Sequence, residues 1–254
     1  MQKSRRKKIW LYIFLVVAVL LVAGYIFRYP LLLKFQYSRL QSLNHLQKIW
    51  VHRVNSLERY DLLKDKFDGF EADLSFHPET GSFFIYHPPL TKETAILPLA
   101  EYLKHADLQH KRIWLDTRFV GASNVQEALL ALSKLEDTMA IKKACVFELY
   151  DARAAAMFAS HGYTSSFNAS EEIQQVLEKD PAARDSVNKE LLPVAYVSQD
   201  AQYLPVIKKI FPGKQIVAWE LHLKSFFNRS RLKELLDDPQ VAILFVNIKT
   251  AFYR

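Results

Sequence analysis

From Lys48 onward, short apolar runs alternate with stretches of helical periodicity. Strand patterns fall at 49–54, 69–74, 112–117, 144–149, 162–167, 193–198, 215–220 and 241–247, with a further short one at 82–87. Helical patterns fill most of the gaps, at 56–66, 95–106, 123–136, 152–160, 170–180, 201–211 and 229–237. Eight strands alternating with helices predict a parallel sheet, and that number predicts a closed (β/α)8 TIM barrel. The pattern stops just after the eighth strand, so the barrel is expected to be slightly truncated at its C-terminal end, short of its last outer helix.

Two segments precede the barrel. Ile9 to Phe27 is nineteen residues long without a charge, and follows the basic cluster Lys3, Arg5, Arg6, Lys7 and Lys8. At about 1.5 Å per residue a helix of that length spans roughly 28 Å, the thickness of a bilayer's hydrocarbon. Phe27-Arg28-Tyr29-Pro30 has none of the small residues of a cleavage site, so the run reads as a retained anchor. The basic cluster predicts a cytoplasmic tail (1–8), a transmembrane helix (9–27) and a barrel on the periplasmic or extracellular side. In 28–47, Leu33, Tyr37, Leu40, Leu43 and Leu46 recur at three- and four-residue spacing. This predicts a juxtamembrane amphipathic helix, packed on the barrel domain (48–254), where it covers the place of the missing outer helix, in preference to one lying on the membrane surface.

Composition refines this picture. The chain of 254 residues is half hydrophobic and carries a net charge of +7. Six of its 34 basic residues lie in the first 28 positions, leaving 28 against 27 acids in the body. A nucleic-acid-binding domain would be basic throughout, so no nucleic-acid partner is expected. Cys145, the single cysteine, excludes internal disulfides and thiolate-rich zinc sites, and reads as a buried small hydrophobe.

Chemistry-bearing residues gather where the first strands end, which is the active face of such a barrel. His52-Arg53-Val54-Asn55 follows the first strand. Glu71 and Asp73 stand two apart in the second, on one side of it. His87 ends the extra strand, and Asp116 and Arg118 repeat the two-residue spacing in the next. Acids inside apolar strands cost several kcal/mol unless they are paired or hold a cation. Glu71, Asp73 and Asp116 make an all-oxygen ligand set suited to one hard divalent cation, Mg²⁺ or Ca²⁺. Arg53 and Arg118 suit a phosphate, and His52 and His87 can divide the proton transfers of phosphodiester cleavage, in either order. Glu148, Glu220 and Asn247 also lie near strand ends. The acids among them read as residues lining the pocket mouth or, in preference, as surface or helix contacts, and Asn247 similarly. Asn168-Ala169-Ser170 and Asn228-Arg229-Ser230 match the glycosylation acceptor pattern.

These motifs resemble the phospholipase-C-like phosphodiesterase superfamily, which includes the glycerophosphodiester phosphodiesterases. His52-Arg53, Glu71, Asp73, His87 and Asp116 match its order of a histidine, a Glu-x-Asp metal pair, a second histidine and a later acid. In detail, His52-Arg53-Val54-Asn55-Ser56, Glu71-Ala72-Asp73 and His87-Pro88-Pro89 are similar to the hallmarks of the menorin branch. The resemblance covers about residues 49–120. It implies a metal-dependent phosphodiester hydrolase, with His52 and His87 catalytic and Asn55 assisting at the metal or the substrate phosphate. Its substrate would be a phosphodiester near the membrane, a lipid headgroup or a glycerophosphodiester. The His-Arg-Gly and His-Asp patterns of typical glycerophosphodiesterases are absent. The stretch from His87 to Arg112 is also too short for their small inserted domain. A rival expectation is a barrel without turnover, serving as a ligand-binding or assembly module at the membrane.

Overall fold

The computed structural model describes residues 14, 16–17, 28–91, 95–136, 138–221 and 228–252. Its strands, in chain order, are β1 (Ile49–Val51), β2 (Gly69–His77), β3 (Ser82–Ile85), β4 (Leu97–Pro98), β5 (Arg112–Arg118), β6 (Cys145–Leu149), β7 (Thr164–Asn168), β8 (Tyr196–Asp200), β9 (Gln215–Glu220) and β10 (Val241–Val246). Eight of them are parallel and close on themselves through β10–β1 and β1–β2. β3 and β4 are antiparallel additions on β2. The barrel expected from the alternating pattern is present. Residues 229–237 and 152–160 are helical with the expected bounds. The pattern missed the helix Pro181–Glu190, whose exposed face is polar and which buries no residue fully.

Alternation along the strands produces two cores. Outward residues such as Phe70, Ala72, Ile113, Leu115 and Leu244 pack under the helices. Inward residues Trp50, Trp114, Val146, Val217, Ile243 and Phe245 form a separate cluster inside the barrel, near the strands' N-terminal ends. Trp50, Trp114 and Phe245 meet edge to face, Trp114 and Phe245 at 5.4 Å between centroids. Gly69 is required here, because a Cβ would lie 2.0 Å from the Trp50 ring.

The closure is narrow. β1 has three residues and meets β2 in one register pair, Val51 with Phe70. Farther up β2, the antiparallel β3 takes the neighbouring place, from Leu74 to His77. Arg59, fully buried, bonds the carbonyls of His52 and Ile248 and the Thr250 hydroxyl. It thereby ties the loop after β1 to the chain after β10.

Residues 28–41 form the expected amphipathic helix, which buries Leu33, Gln36 and Leu40, with Leu43 just beyond its end. Gln36 Nε2 donates to the Lys249 carbonyl at 3.2 Å, and Lys249 N donates to Gln36 Oε1 at 3.0 Å. Arg229 donates to the Ser42 carbonyl, and Tyr37 packs on Phe67. The helix therefore covers the outside of the β10–β1 junction. The uncharged run 9–27 lies outside the described residues, apart from Phe14, Val16 and Val17. Among the described residues, no helix is long and apolar enough to cross a membrane.

Replacing Gly69 with alanine must expel the Trp50 ring from the inner cluster. The expected cost is about 3 kcal/mol, read as a lower denaturant midpoint at unchanged slope.

Candidate metal centre and its histidines

The inward, two-residue spacing of β2 and β5 places Glu71, Asp73 and Asp116 together at the C-terminal end of the barrel, with Asp73 and Asp116 as register partners. One carboxylate oxygen from each lies within 4.8 Å of the other two, and all three residues are buried. Burial and then repulsion from Asp73 and Asp116 hold the Glu71 carboxyl well above its ordinary pKa. Burial also raises Asp116, against the lowering influence of Arg118. Glu71 Oε1 is buried with no hydrogen-bond partner. A hard divalent cation fits this donor set, since it would satisfy the orphaned oxygen and cancel the repulsion.

The remaining site residues fix those carboxylates in place. Arg53 has a positive φ of 57°, which turns its backbone N–H onto Glu71 Oε2 at 2.5 Å. Asn55 uses both ends of its amide on Asp73: Nδ2 donates to Oδ2 at 2.7 Å, and Oδ1 accepts from Asp73 N at 2.9 Å. Ser56, next in the chain, caps the helix Leu57–Leu63 through Arg59 N. The Arg53 guanidinium donates to His87 Nε2 at 2.7 Å and stands 3.9 Å from Asp73. An arginine can only donate, so that histidine nitrogen accepts. Arg118 donates to Asp116 Oδ2 at 2.5 Å.

His52 lies 3.6 Å from Glu71 through Nε2. Its Nδ1 faces Asn247 Oδ1 at 2.9 Å, while Asn247 Nδ2 donates to the Leu221 carbonyl. That second bond fixes the amide's orientation, so His52 Nδ1 carries the proton and Nε2 a lone pair. Burial pushes the His52 pKa down to about 4, which keeps the ring neutral at physiological pH.

All eight site residues read from the sequence thus gather at one end of the barrel. Sequence reasoning missed Tyr150, whose hydroxyl donates to Asp116 Oδ1 at 2.8 Å and whose ring lies under Arg118. The signal was available: Tyr150, one place beyond β6, repeats the two-residue spacing from Glu148. Asn247, expected to be a surface or helix contact, instead orients His52. Glu148 corrects the same expectation, being buried inside the barrel. It accepts from Trp114 Nε1 and Asn168 Nδ2, each at 3.2 Å, and pairs with the Ser198 hydroxyl. The first acceptor motif is accounted for structurally: Asn168 is buried against Glu148, and Ser170 caps the helix Glu171–Lys179. Asn228 caps the helix Arg229–Asp237. Cys145 is buried, as expected, and burial raises its thiol pKa.

No family model and no curated protein matches the sequence. Solved structures do match the fold. A provisionally assigned glycerophosphoryl diester phosphodiesterase from Silicibacter pomeroyi aligns with a TM-score of 0.59 at 11% identity, over 84% of this chain and 95% of that one. A glycerophosphodiester phosphodiesterase from Parabacteroides distasonis aligns at 0.56 and 14%, over 80% and 93%. An Oleispira antarctica phosphodiesterase, solved with its product sn-glycerol-3-phosphate, aligns at 0.51 and 14%, over 79% and 93%. The chain has the (β/α)8 fold of these phosphodiesterases.

Burial, followed by repulsion from Asp116, pushes the Glu148 pKa up to about 8, from 4.5. The folded state then keeps a proton that the unfolded chain releases. The stabilisation is complete below the unfolded value and is lost as pH rises through the folded one. In chelator-treated protein, Glu148→Gln should flatten the fall in stability across that window, measured by denaturant titration at successive pH values.

Proposed function

We propose that this protein is a membrane-anchored, divalent-metal-dependent phosphodiester hydrolase of the phospholipase-C-like superfamily. The observation that carries this reading is the buried, mutually repelling set Glu71, Asp73 and Asp116 at the mouth of a barrel, flanked by two histidines. The glycerophosphodiesterase fold and the ordered motifs from His52 to Arg118 support it. The His-Pro-Pro and Glu-Ala-Asp motifs favour the menorin-like branch. The basic cluster and uncharged run before residue 28 favour an anchor with the barrel outside the cytoplasm, periplasmic or extracellular.

Glu71, Asp73 and Asp116 would hold the cation, Mg²⁺ or Ca²⁺. Once bound, it supplies positive charge to offset that gathering on the phosphate oxygens. The chain's own residues do the rest. Asn55 and the Arg53 N–H keep the carboxylates in position. The guanidinium groups of Arg53 and Arg118, each with a buried Nε lacking a hydrogen-bond partner, supply donors to the phosphate. His52, neutral and held by Asn247, takes the proton of the attacking hydroxyl at Nε2. His87, more exposed, delivers a proton to the departing alkoxide. The attacking hydroxyl belongs either to water or to the substrate, giving hydrolysis or a cyclic phosphate.

Two variants separate metal binding from proton transfer. With wild-type protein, Mg²⁺ or Ca²⁺ at about a hundredfold its Kd should add about 2.7 kcal/mol of stability, and Glu71→Gln should abolish that gain. His52→Ala should keep the cation-induced rise in midpoint while losing about 10²–10⁴-fold in turnover of a phosphodiester panel. A cation response without turnover on any diester would favour the binding-module alternative.

A further inference from the structure

The helix at 28–41 has a direction that its contacts define. Beyond its lower end, on the way into β1, His45 meets Asp237 at 2.9 Å and Lys48 Nζ donates to the Leu236 carbonyl, both just before β10 begins. Higher up, Gln36 is doubly bonded to Lys249, beyond the end of β10. Decreasing residue number therefore climbs the barrel from its N-terminal to its C-terminal end. Eight further residues, from Gln36 to Arg28, carry the helix roughly 12 Å beyond that point. Its first described turns stand at the same end as the metal centre.

Those turns expose apolar side chains: Leu31 is 63% and Phe35 51% exposed, with Leu32 beside them. Farther along, the exposed positions are polar, at Ser38, Gln41 and Ser42. The loops at the barrel mouth repeat the feature. Phe119, next to Arg118, is 59% exposed, and Phe252, beyond β10, is 46% exposed. Leu130, Val176 and Leu192 are also exposed, but singly, on outer helices and a turn. Leu31, Leu32, Phe35, Phe119 and Phe252 share one end of the barrel, and such sharing marks a surface that is covered by something. The uncharged run 9–27 ends one residue before this helix, which identifies the cover.

We infer that the barrel mouth faces the lipid bilayer in which the chain is anchored, and that the first turns of the 28–41 helix and the Phe119 loop sit in its headgroup layer. This rests on the anchored phosphodiesterase reading and deepens it. The phosphodiester reaching the metal centre is then a headgroup of that same membrane.

The test uses the full chain in vesicles whose lipids are brominated high on the acyl chains. A polarity-sensitive fluorophore is placed on Phe35→Cys, Phe119→Cys or Gln109→Cys, the last in the turn before β5 at the opposite end; Cys145 is buried and takes no label. Labels at 35 and 119 should shift to the blue and be quenched by the brominated lipid, while that at 109 does neither. Protein that floats with the vesicles yet quenches at 109, or at neither 35 nor 119, overturns the orientation and leaves the anchor standing. Blue-shifted labels without quenching would mean that protein, such as a second copy, covers the face, which also overturns it. A chain that does not float with vesicles removes the anchor itself. None of these readouts depends on catalytic turnover.

Discussion

The molecule closes on its own chemistry. Between β1 and β2 the ladder supplies a single register pair, and above it the seam is stitched by residues of the site. Val54 N donates to the Glu71 carbonyl at 2.7 Å, Arg53 N to the Glu71 carboxylate, and Asn55 bonds Asp73 in both directions. The carboxylates that would hold a cation are thus also fasteners of the barrel. This is costly without a cation, because buried like charges repel and raise one another's pKa. It also means that the loop after β1 cannot drift away from Glu71 and Asp73 without opening the barrel.

That coupling explains the strain at Arg53. A non-glycine residue with positive φ costs of the order of 1–3 kcal/mol and persists only where its surroundings over-determine it. Here the surroundings do so from three sides. Glu71 takes its N–H, Arg59 grips the preceding His52 carbonyl, and Tyr102 donates to the Val54 carbonyl at 2.9 Å. The result is a guanidinium aimed at Asp73 and His87 rather than into solvent.

The barrel and the acids that would bind a metal were legible because both follow from period-two alternation. An acid on the inward face of an apolar strand is costly enough to be informative, and Glu71, Asp73 and Asp116 announce themselves in this way. Glu148 follows the same rule, but the partners that satisfy it, Asn168 and Ser198, come from strands far along the chain, so its place inside the barrel is not legible locally. Asn247 carried no unusual signal, and Tyr150 only its two-residue spacing from Glu148. An amide or a phenol at a strand end is ordinary until the fold shows which histidine or carboxylate it meets. The helix at 181–190 was invisible for a related reason: it buries no residue fully, so no apolar stripe betrays it.

The aromatic cluster beneath the site has a consequence for traffic. Trp50, Trp114 and Phe245 fill the barrel's lower end, Trp114 and Phe245 with no exposed surface at all. With that end filled, a molecule bound among the carboxylates would arrive and depart by the C-terminal mouth alone. It would have to vacate that doorway before another entered. If the protein cleaves a diester as proposed, a tightly held fragment would throttle it by occupancy alone.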